Sequence, residues 1–286
     1  MTEETCLKHF WKSVQHELQE NKNAFIVYSV LRLLVIGIMI LQLFNGNYHN
    51  AFLCLLTLVL MIMPSVVQAT FKVEFPSLLE IIILLFIFAA EILGEISSFY
   101  IRFPYWDTIL HTLNGFLCAA LGFSLVDIMN RDKRLRFEMA PMFMALVAFC
   151  FSMTIGVMWE FFEFGMDRYF GLDMQKDTVI TSINTVVLDP LQQNNVVSIP
   201  HIEQVVLDGV PLPIDGYLDI GLMDTMYDLV VNFIGAFVFS WMGFFYVKYR
   251  GKYKHSTGLV HGLVPKPWSK EKERRFTKKE HHDDKS

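Results

Sequence analysis

The chain has 286 residues, of which 53% are hydrophobic, with 26 Phe and a mean hydropathy of +0.38. That is too apolar for one soluble domain of this length, and several stretches reach the about 20 apolar residues that a bilayer core requires. The net charge is −5, and the basic segments lack the interleaved reader residues of a nucleic-acid surface, so no nucleic-acid partner is expected. The expected fold class is an all-α polytopic membrane protein.

Residues 1–23 set Leu7, Phe10, Trp11, Val14 and Leu18 at helical spacing among charged residues. This pattern predicts an amphipathic arm lying on the inner leaflet. Six spans follow, over 24–44, 51–71, 78–98, 107–127, 141–164 and 226–247, which make residues 24–247 the membrane domain. The first span is too long for a signal peptide and lacks a small-residue cleavage site after it.

Between the fifth and sixth spans, residues 168–225 form the one sizeable segment outside the membrane. Its "VITSINTVVLDP" and "EQVVLDGVPLPIDG" mix β-branched residues with Asp-Gly and Pro turn signals, which predicts a small β-hairpin cap. A tolerated insertion is the alternative. Residues 248–286 form a basic, Pro-punctuated tail, read as disordered beyond about residue 265. Its first half suits anionic headgroups, and the closing "HHDD" reads as a solvated end rather than a metal tract.

Basic residues accumulate in cytoplasmic loops. With both termini inside, 20 of the 24 Lys and Arg fall in inner segments, Arg102, Arg168 and Lys176 fall outside, and Arg32 lies within the first span. The predicted topology is therefore N-in, C-in. The acids fall the other way. Glu91, Glu95, Asp107 and the twelve acids from Glu160 to Asp228 lie at or beyond the outer helix ends, a field that gathers cations and repels free anions.

Side chains at i, i+3, i+4 and i+7 share a helix face. On the fifth span this groups Gly156, Glu160, Glu163 and Asp167, and on the sixth Asp224, Asp228, Asn232 and Gly235. The fourth span lines up Asp107, His111, Asn114, Gly115, Cys118 and Gly122, and the third ends with the i, i+4 pair Glu91 and Glu95. Small residues along such stripes let helices approach closely in lipid. Four polar outer ends are thus expected to face one another. A carboxylate within a span needs a proton, a base or a cation beside it.

Each group also has a plainer reading. Glu91 and Glu95 suit an interfacial position, Asp107 and Asp224 suit helix N-caps, and a lone His111 suits a buried structural histidine. Glu160, Glu163 and Asp228 lie below where caps or surface groups sit, and facing carboxylates in a bundle core are how helices build metal sites. The expected metal ligands are His111, Glu160, Glu163, Asp224 and Asp228, with Glu160, Asp107 and Asp228 as the candidate catalytic groups. Glu91, Glu95, Asn114, Asp167 and Asn232 complete the expected pocket. Such an oxygen-rich set with one imidazole suits a divalent Mg, Ca, Mn or Zn ion.

The four cysteines include no C-x-x-C pair and imply no disulfide framework. The motifs H-E-x-x-H, G-x-S-x-G, G-x-x-x-x-G-K-[ST] and G-x-G-x-x-G are absent.

The combination "YWDTILHTLNGF", "GVMWEFFEFGMD" and "GLMDTMYDLVVNFIGA" resembles the YjdF-like bacterial inner-membrane proteins, a domain of unknown function. It is more distantly similar to the VanZ-like proteins, which share a D-x-x-x-H helix, a Glu-bearing helix and a D-x-x-x-D-x-x-x-N helix followed by Gly. The resemblance covers roughly residues 75–247. It implies a bacterial inner-membrane location and matches Asp107, His111, Glu160, Asp224, Asp228 and Asn232. The VanZ-like group is associated with resistance to glycopeptide antibiotics such as teicoplanin. The longer loop before the sixth span and the basic tail depart from the pattern.

Two functional classes follow, with a non-catalytic scaffold as a third. One is an outer-face enzyme whose metal polarises a phosphate or ester of a lipid or lipid-linked cell-envelope precursor. The other is a proton- or cation-coupled transporter. Because the fourth and sixth spans read as apolar below Asn114 and Asn232, and no broken span is evident, a blind pocket in contact with membrane lipids is the expectation.

Overall fold

The computed structural model describes residues 22–71, 73–131, 139–249 and 262–267. The N-terminal arm to residue 21, the basic cluster at Lys133, Arg134 and Arg136, and the "HHDD" end lie outside the described residues. Six helices among the described residues are long and apolar enough to cross a membrane: Asn23–Phe44, Tyr48–Thr70, Ser77–Ile96, Trp106–Asn130, Pro141–Phe170 and Leu222–Lys248. The protein is a mostly helical, multi-pass membrane protein.

The first crossing is α1 (Lys22–Phe44). Its one basic residue within the span, Arg32, donates to the Tyr28 hydroxyl one turn back and lies 5.5 Å from the centre of that ring. The second crossing is interrupted. Asn47 caps α2 (Tyr48–Leu60) by accepting from the Asn50 amide at 3.1 Å, and α3 (Met63–Phe71) follows after a tight turn at Met61 and Ile62. Pro64 causes the break, because its ring clashes with the carbonyl one turn back and it donates no hydrogen bond. The expectation of unbroken spans is corrected here.

The third crossing changes winding as well. After the short strand β1 (Val73–Glu74), α4 (Ser77–Phe88) passes into a π-helix over Ala89–Ile96 that carries Glu91 and Glu95. An eight-residue π segment is uncommon. Gly94 within it admits the Tyr100 ring, since a Cβ there would lie 2.3 Å from that side chain. A short α5 (Phe99–Arg102) then packs Phe99 against Phe103 and Trp106, with ring centres 4.7 and 4.9 Å apart.

The remaining crossings are α6 (Trp106–Arg131), α7 (Pro141–Phe170) and α8 (Leu222–Lys248). The chain divides into two compact units, one of Met1–Met153 with Asn232–Ser286 and one of Thr154–Val231, so α7 and α8 each contribute residues to both.

In the first unit, α6 and the later part of α8 run parallel at close range. A Cβ on Gly115 would sit 2.1 Å from the Asn232 carbonyl oxygen, and one on Gly235 would sit 2.0 Å from that of Thr112. Lipid supplies no hydrophobic drive between helices, so contact of this kind, with hydrogen bonds, holds them together. Asn114 Nδ2 reaches Asn232 Oδ1 at 3.4 Å, and the Ser152 hydroxyl donates to the Gly115 carbonyl at 2.7 Å. Phe116, Phe123 and Phe239 close the core further along with edge-on contacts. A second core joins Tyr28, Leu31 and Val35 of α1 to Cys54, Leu58, Leu84 and Ile92.

A finding the sequence did not suggest is that part of the tail is folded. Lys266–Pro267 forms β8, antiparallel to β1, and Leu263 and Val264 are buried in the core with Val73, Phe75 and Leu79.

In the second unit, the fifth and sixth spans run longer than expected, because their ends are capped later. Gly171, at φ +66, ends α7 with its amide on the Asp167 carbonyl, the left-handed stop that glycine favours. Asp219 accepts from the Met223 amide at 2.8 Å and starts α8. Residues 171–221 therefore form the loop, rather than 168–225. It holds three antiparallel pairs: β2 (Thr178–Ile180) with β7 (Tyr217–Asp219), β3 (Ile183–Thr185) with β4 (Val197–Ile199), and β5 (Val206–Leu207) with β6 (Val210–Pro211). The last pair turns through Asp208 and Gly209, both at positive φ, as a two-residue hairpin turn requires.

Gly235→Ala forces α6 and α8 apart and is expected to cost about 1 to 3 kcal/mol, read as a lowered Tm in detergent. Gly37→Ala, where a Cβ meets nothing within 4 Å, serves as the control and leaves Tm unchanged or slightly raised.

Candidate functional site

In the second unit, α7 and α8 bring together Glu160, Glu163 and Asp228. One carboxylate oxygen from each lies within 4.8 Å of the others, and the three residues are only 5%, 7% and 4% exposed. Glu160 and Glu163 share a face by their spacing of three. Glu160 stands ten residues before the end of α7, about 15 Å along the axis at 1.5 Å per residue. The longer helix therefore sets these acids further from its end than a span closing at 164 would.

A fourth residue joins the site. The Trp159 indole N–H donates to Glu163 Oε1 at 2.8 Å, fixing that carboxylate in one orientation. The signal was present as an i, i+4 Trp-Glu pair in "WEFFE", but Trp reads first as an interfacial or lipid-facing residue.

Other expected site residues do different work. Asp167 accepts from the Met174 and Gln175 amides at 2.6 and 2.8 Å, and Asp224 accepts from the Lys176 amide at 2.8 Å. Both fold the loop back onto the helix ends, and the capping role considered for Asp224 falls to Asp219. Lys176 turns its ammonium to the Asp173 carbonyl.

In the first unit, His111 Nε2 lies 3.5 Å from Asp107 Oδ1 on the adjacent turn of α6, and His111 is buried. Asp107 is the second residue of that helix rather than its cap. Asn114 and Asn232 pair with each other, and Asn232 Nδ2 also approaches Met153 Sδ at 3.6 Å. Glu91 is half-buried and Glu95 exposed, both on the π-helix.

Sequence reasoning missed two buried acids, Glu80 on α4 and Asp127 on α6. They lie near span ends, where a charge is ordinarily read as interfacial. Buried Ser124 and Ser240 also make the fourth and sixth helices beyond Asn114 and Asn232 less uniformly apolar than expected, and Ser152 is buried on the fifth.

Helix lengths, apolar faces and buried carboxylates together define a multi-pass membrane protein with an acidic interior cluster. The chain belongs to the family described as "Predicted membrane protein (DUF2238)", whose model matches residues 26–249. The resemblance to YjdF-like proteins agrees with that membership. An "Uncharacterized protein" of Thermotoga maritima is 26% identical over 105 residues, which cover 37% of this chain and 52% of that protein. The chain thus spans about half the length of this relative. No solved structure matches.

Loop carboxylates titrate in opposite directions. Burial pushes Asp177 up, helped by Asp173, Asp167 and Asp219 and opposed by Lys176. Asp177 therefore holds its proton more tightly folded than unfolded, and the stability this contributes is lost as pH rises through the carboxylate range. Asp177→Asn is expected to raise Tm near about pH 7 and leave it unchanged near about pH 3, where Asp is protonated in both states. Amides of Asn195, Leu191 and Gln193 hold Asp189 below its usual range. Its contribution is present above that range and lost below it. In Asp189→Ala, hydrogen-exchange protection of those three amides is expected to fall at neutral pH.

Proposed function

We propose that Glu160, Glu163 and Asp228 hold a divalent cation in a pocket near the outer face of a bacterial inner membrane, in a chain with both termini cytoplasmic. The observation that carries this reading is the convergence of three buried carboxylates within 4.8 Å. Like charges at that distance in low dielectric repel strongly, and an oxygen-only donor set suits Mg, Ca or Mn ahead of softer ions. His111 with Asp107, one turn apart, forms an imidazole and carboxylate pair suited to moving a proton.

The substrate class is a phosphate or ester of a membrane lipid or lipid-linked envelope precursor. A bound cation would supply Lewis acidity toward such a group. The chain's own residues hold the cation, with Trp159 orienting Glu163, and the scarcity of outer Lys and Arg leaves phosphate recognition to that cation. The distant VanZ-like similarity, through Asp107, His111, Glu160, Asp224, Asp228 and Asn232, supports work at the cell envelope.

A cation-coupled transporter is the second reading. It is favoured by the break at Met61 and Ile62 and by the buried Ser152, Ser240 and Asp127, since transporters use interrupted helices and polar interiors.

Metal analysis of detergent-purified protein is expected to find stoichiometric divalent metal in the wild type and little in Glu160→Gln or Asp228→Asn. A metal-free wild type that tolerates both changes in a host phenotype overturns the site. Trp159→Phe keeps the ring but removes the N–H, and is expected to weaken metal affinity about tenfold with Tm little changed. Metal-dependent hydrolysis of phospholipid or lipid-linked phosphate favours the enzyme, and cation flux in proteoliposomes favours the transporter.

A further inference from the structure

The tail segment 262–267 is docked in the first unit. Its two-residue ladder sets Pro267 opposite Val73 and Lys266 opposite Glu74. A ladder so short does not hold by itself. Docking therefore depends on Leu263 and Val264, 3% and 4% exposed, which share a core with Val73, Phe75 and Leu79 and with Val126 of α6.

The receiving surface is prepared for an extended peptide. Gln68 of α3 accepts from the Phe75 amide at 2.7 Å, which fixes the connection carrying β1. On the same face of α3, one turn away, Ser65 is buried, and neither its hydroxyl nor the Gln68 amide nitrogen has a hydrogen-bond partner among the described residues. A buried donor left this way is costly, and water or a small polar ligand would satisfy both if the surface opened. β1 pairs with β8 alone, so an undocked tail leaves a strand edge, the feature that strand-adding peptides recognise. The segment also lies beyond the family match, which ends at residue 249, whereas the surface it meets lies within that match.

We propose that β1 with Val73, Phe75, Leu79 and Val126 is a peptide-docking surface whose occupant is this chain's own Leu263–Pro267, a releasable strap over the end of the membrane domain. Charge flanks the strap on both sides, with Lys252 and Lys254 before it and Lys270 and Lys272 after it. The aliphatic pair is the anchor.

The test uses the full chain in detergent with its four cysteines changed to alanine. Glu74→Cys with Lys266→Cys is expected to form a disulfide within one chain under mild oxidation. A crosslink between two chains, or none, overturns the proposal. A Val126→Cys reporter is expected to react with a membrane-impermeant maleimide on the order of tenfold faster when Leu263→Asp and Val264→Asp are added, the change an opening equilibrium shifted by about 1.4 kcal/mol produces. A synthetic peptide of residues 259–270 added to that variant is expected to slow labelling again, whereas its Asp-substituted form is not. Unchanged labelling in the Asp variant overturns the strap. Labelling that rises but is not reversed by the native peptide also overturns it, because it marks general unfolding.

Discussion

The packing of the fourth, fifth and sixth crossings in the first unit depends on how closely α6 approaches α8. Two glycines on different helices, Gly115 and Gly235, each face a backbone carbonyl at a distance where no Cβ fits. Their reciprocal placement, Gly115 on Asn232 and Gly235 on Thr112, fixes relative height as well as separation. That height puts Asn114 beside Asn232 and leaves the Gly115 carbonyl open to Ser152 of α7. One steric fact thus locates three helices, in a solvent where apolar side chains have no preference for each other over lipid.

The same geometry explains the direction of the pair. The fourth and sixth crossings are separated by one other, so helices that traverse the membrane in turn must run parallel, and these do: contacts advance from Thr112 with Gly235 to Phe123 with Gly243. Asn232 belongs to this packing, and Asp228 stands one turn before it on α8.

Much of this was legible because helical periodicity is strong in a polar stripe on an apolar background. Glu160, Glu163 and Asp228 stood out for that reason, as did Gly115 and Gly235. Three features were not legible. Pro64 was visible in the second span, but whether a membrane proline kinks or breaks a helix depends on what satisfies the freed carbonyls. The π winding at Glu91 and Glu95 leaves no compositional mark. "GLVPKP" lies in a charged tail where two aliphatic residues look incidental, and only the apolar surface made by Val73, Phe75 and Val126 gives them a reason. Span lengths were misjudged from the same cause, since Asp167, Gly171 and Asp219 act as end signals only through the loop amides they meet or the turn they permit.

Charge distribution in the second unit decides what its carboxylates can do. Between Thr154 and Val231 twelve acids meet only Arg168 and Lys176. Several acids solve this locally: Asp167, Asp189, Asp219 and Asp224 each accept from backbone amides of the loop or a helix start. That arrangement costs nothing in counter-charge, because amides stabilise a carboxylate without carrying charge. It is open to residues near irregular backbone and closed to residues deep in a helix, whose amides are already bonded within it. Glu160 and Glu163 sit in such a helix interior, and Asp228 is past the first turn of α8. Their compensation has to come from side chains, protons or a cation. Trp159 supplies a donor to Glu163, and an indole N–H carries no charge to set against that of a carboxylate. Proton sharing makes the cluster a structural acid network, whereas a divalent ion, the occupant proposed above, makes it a site.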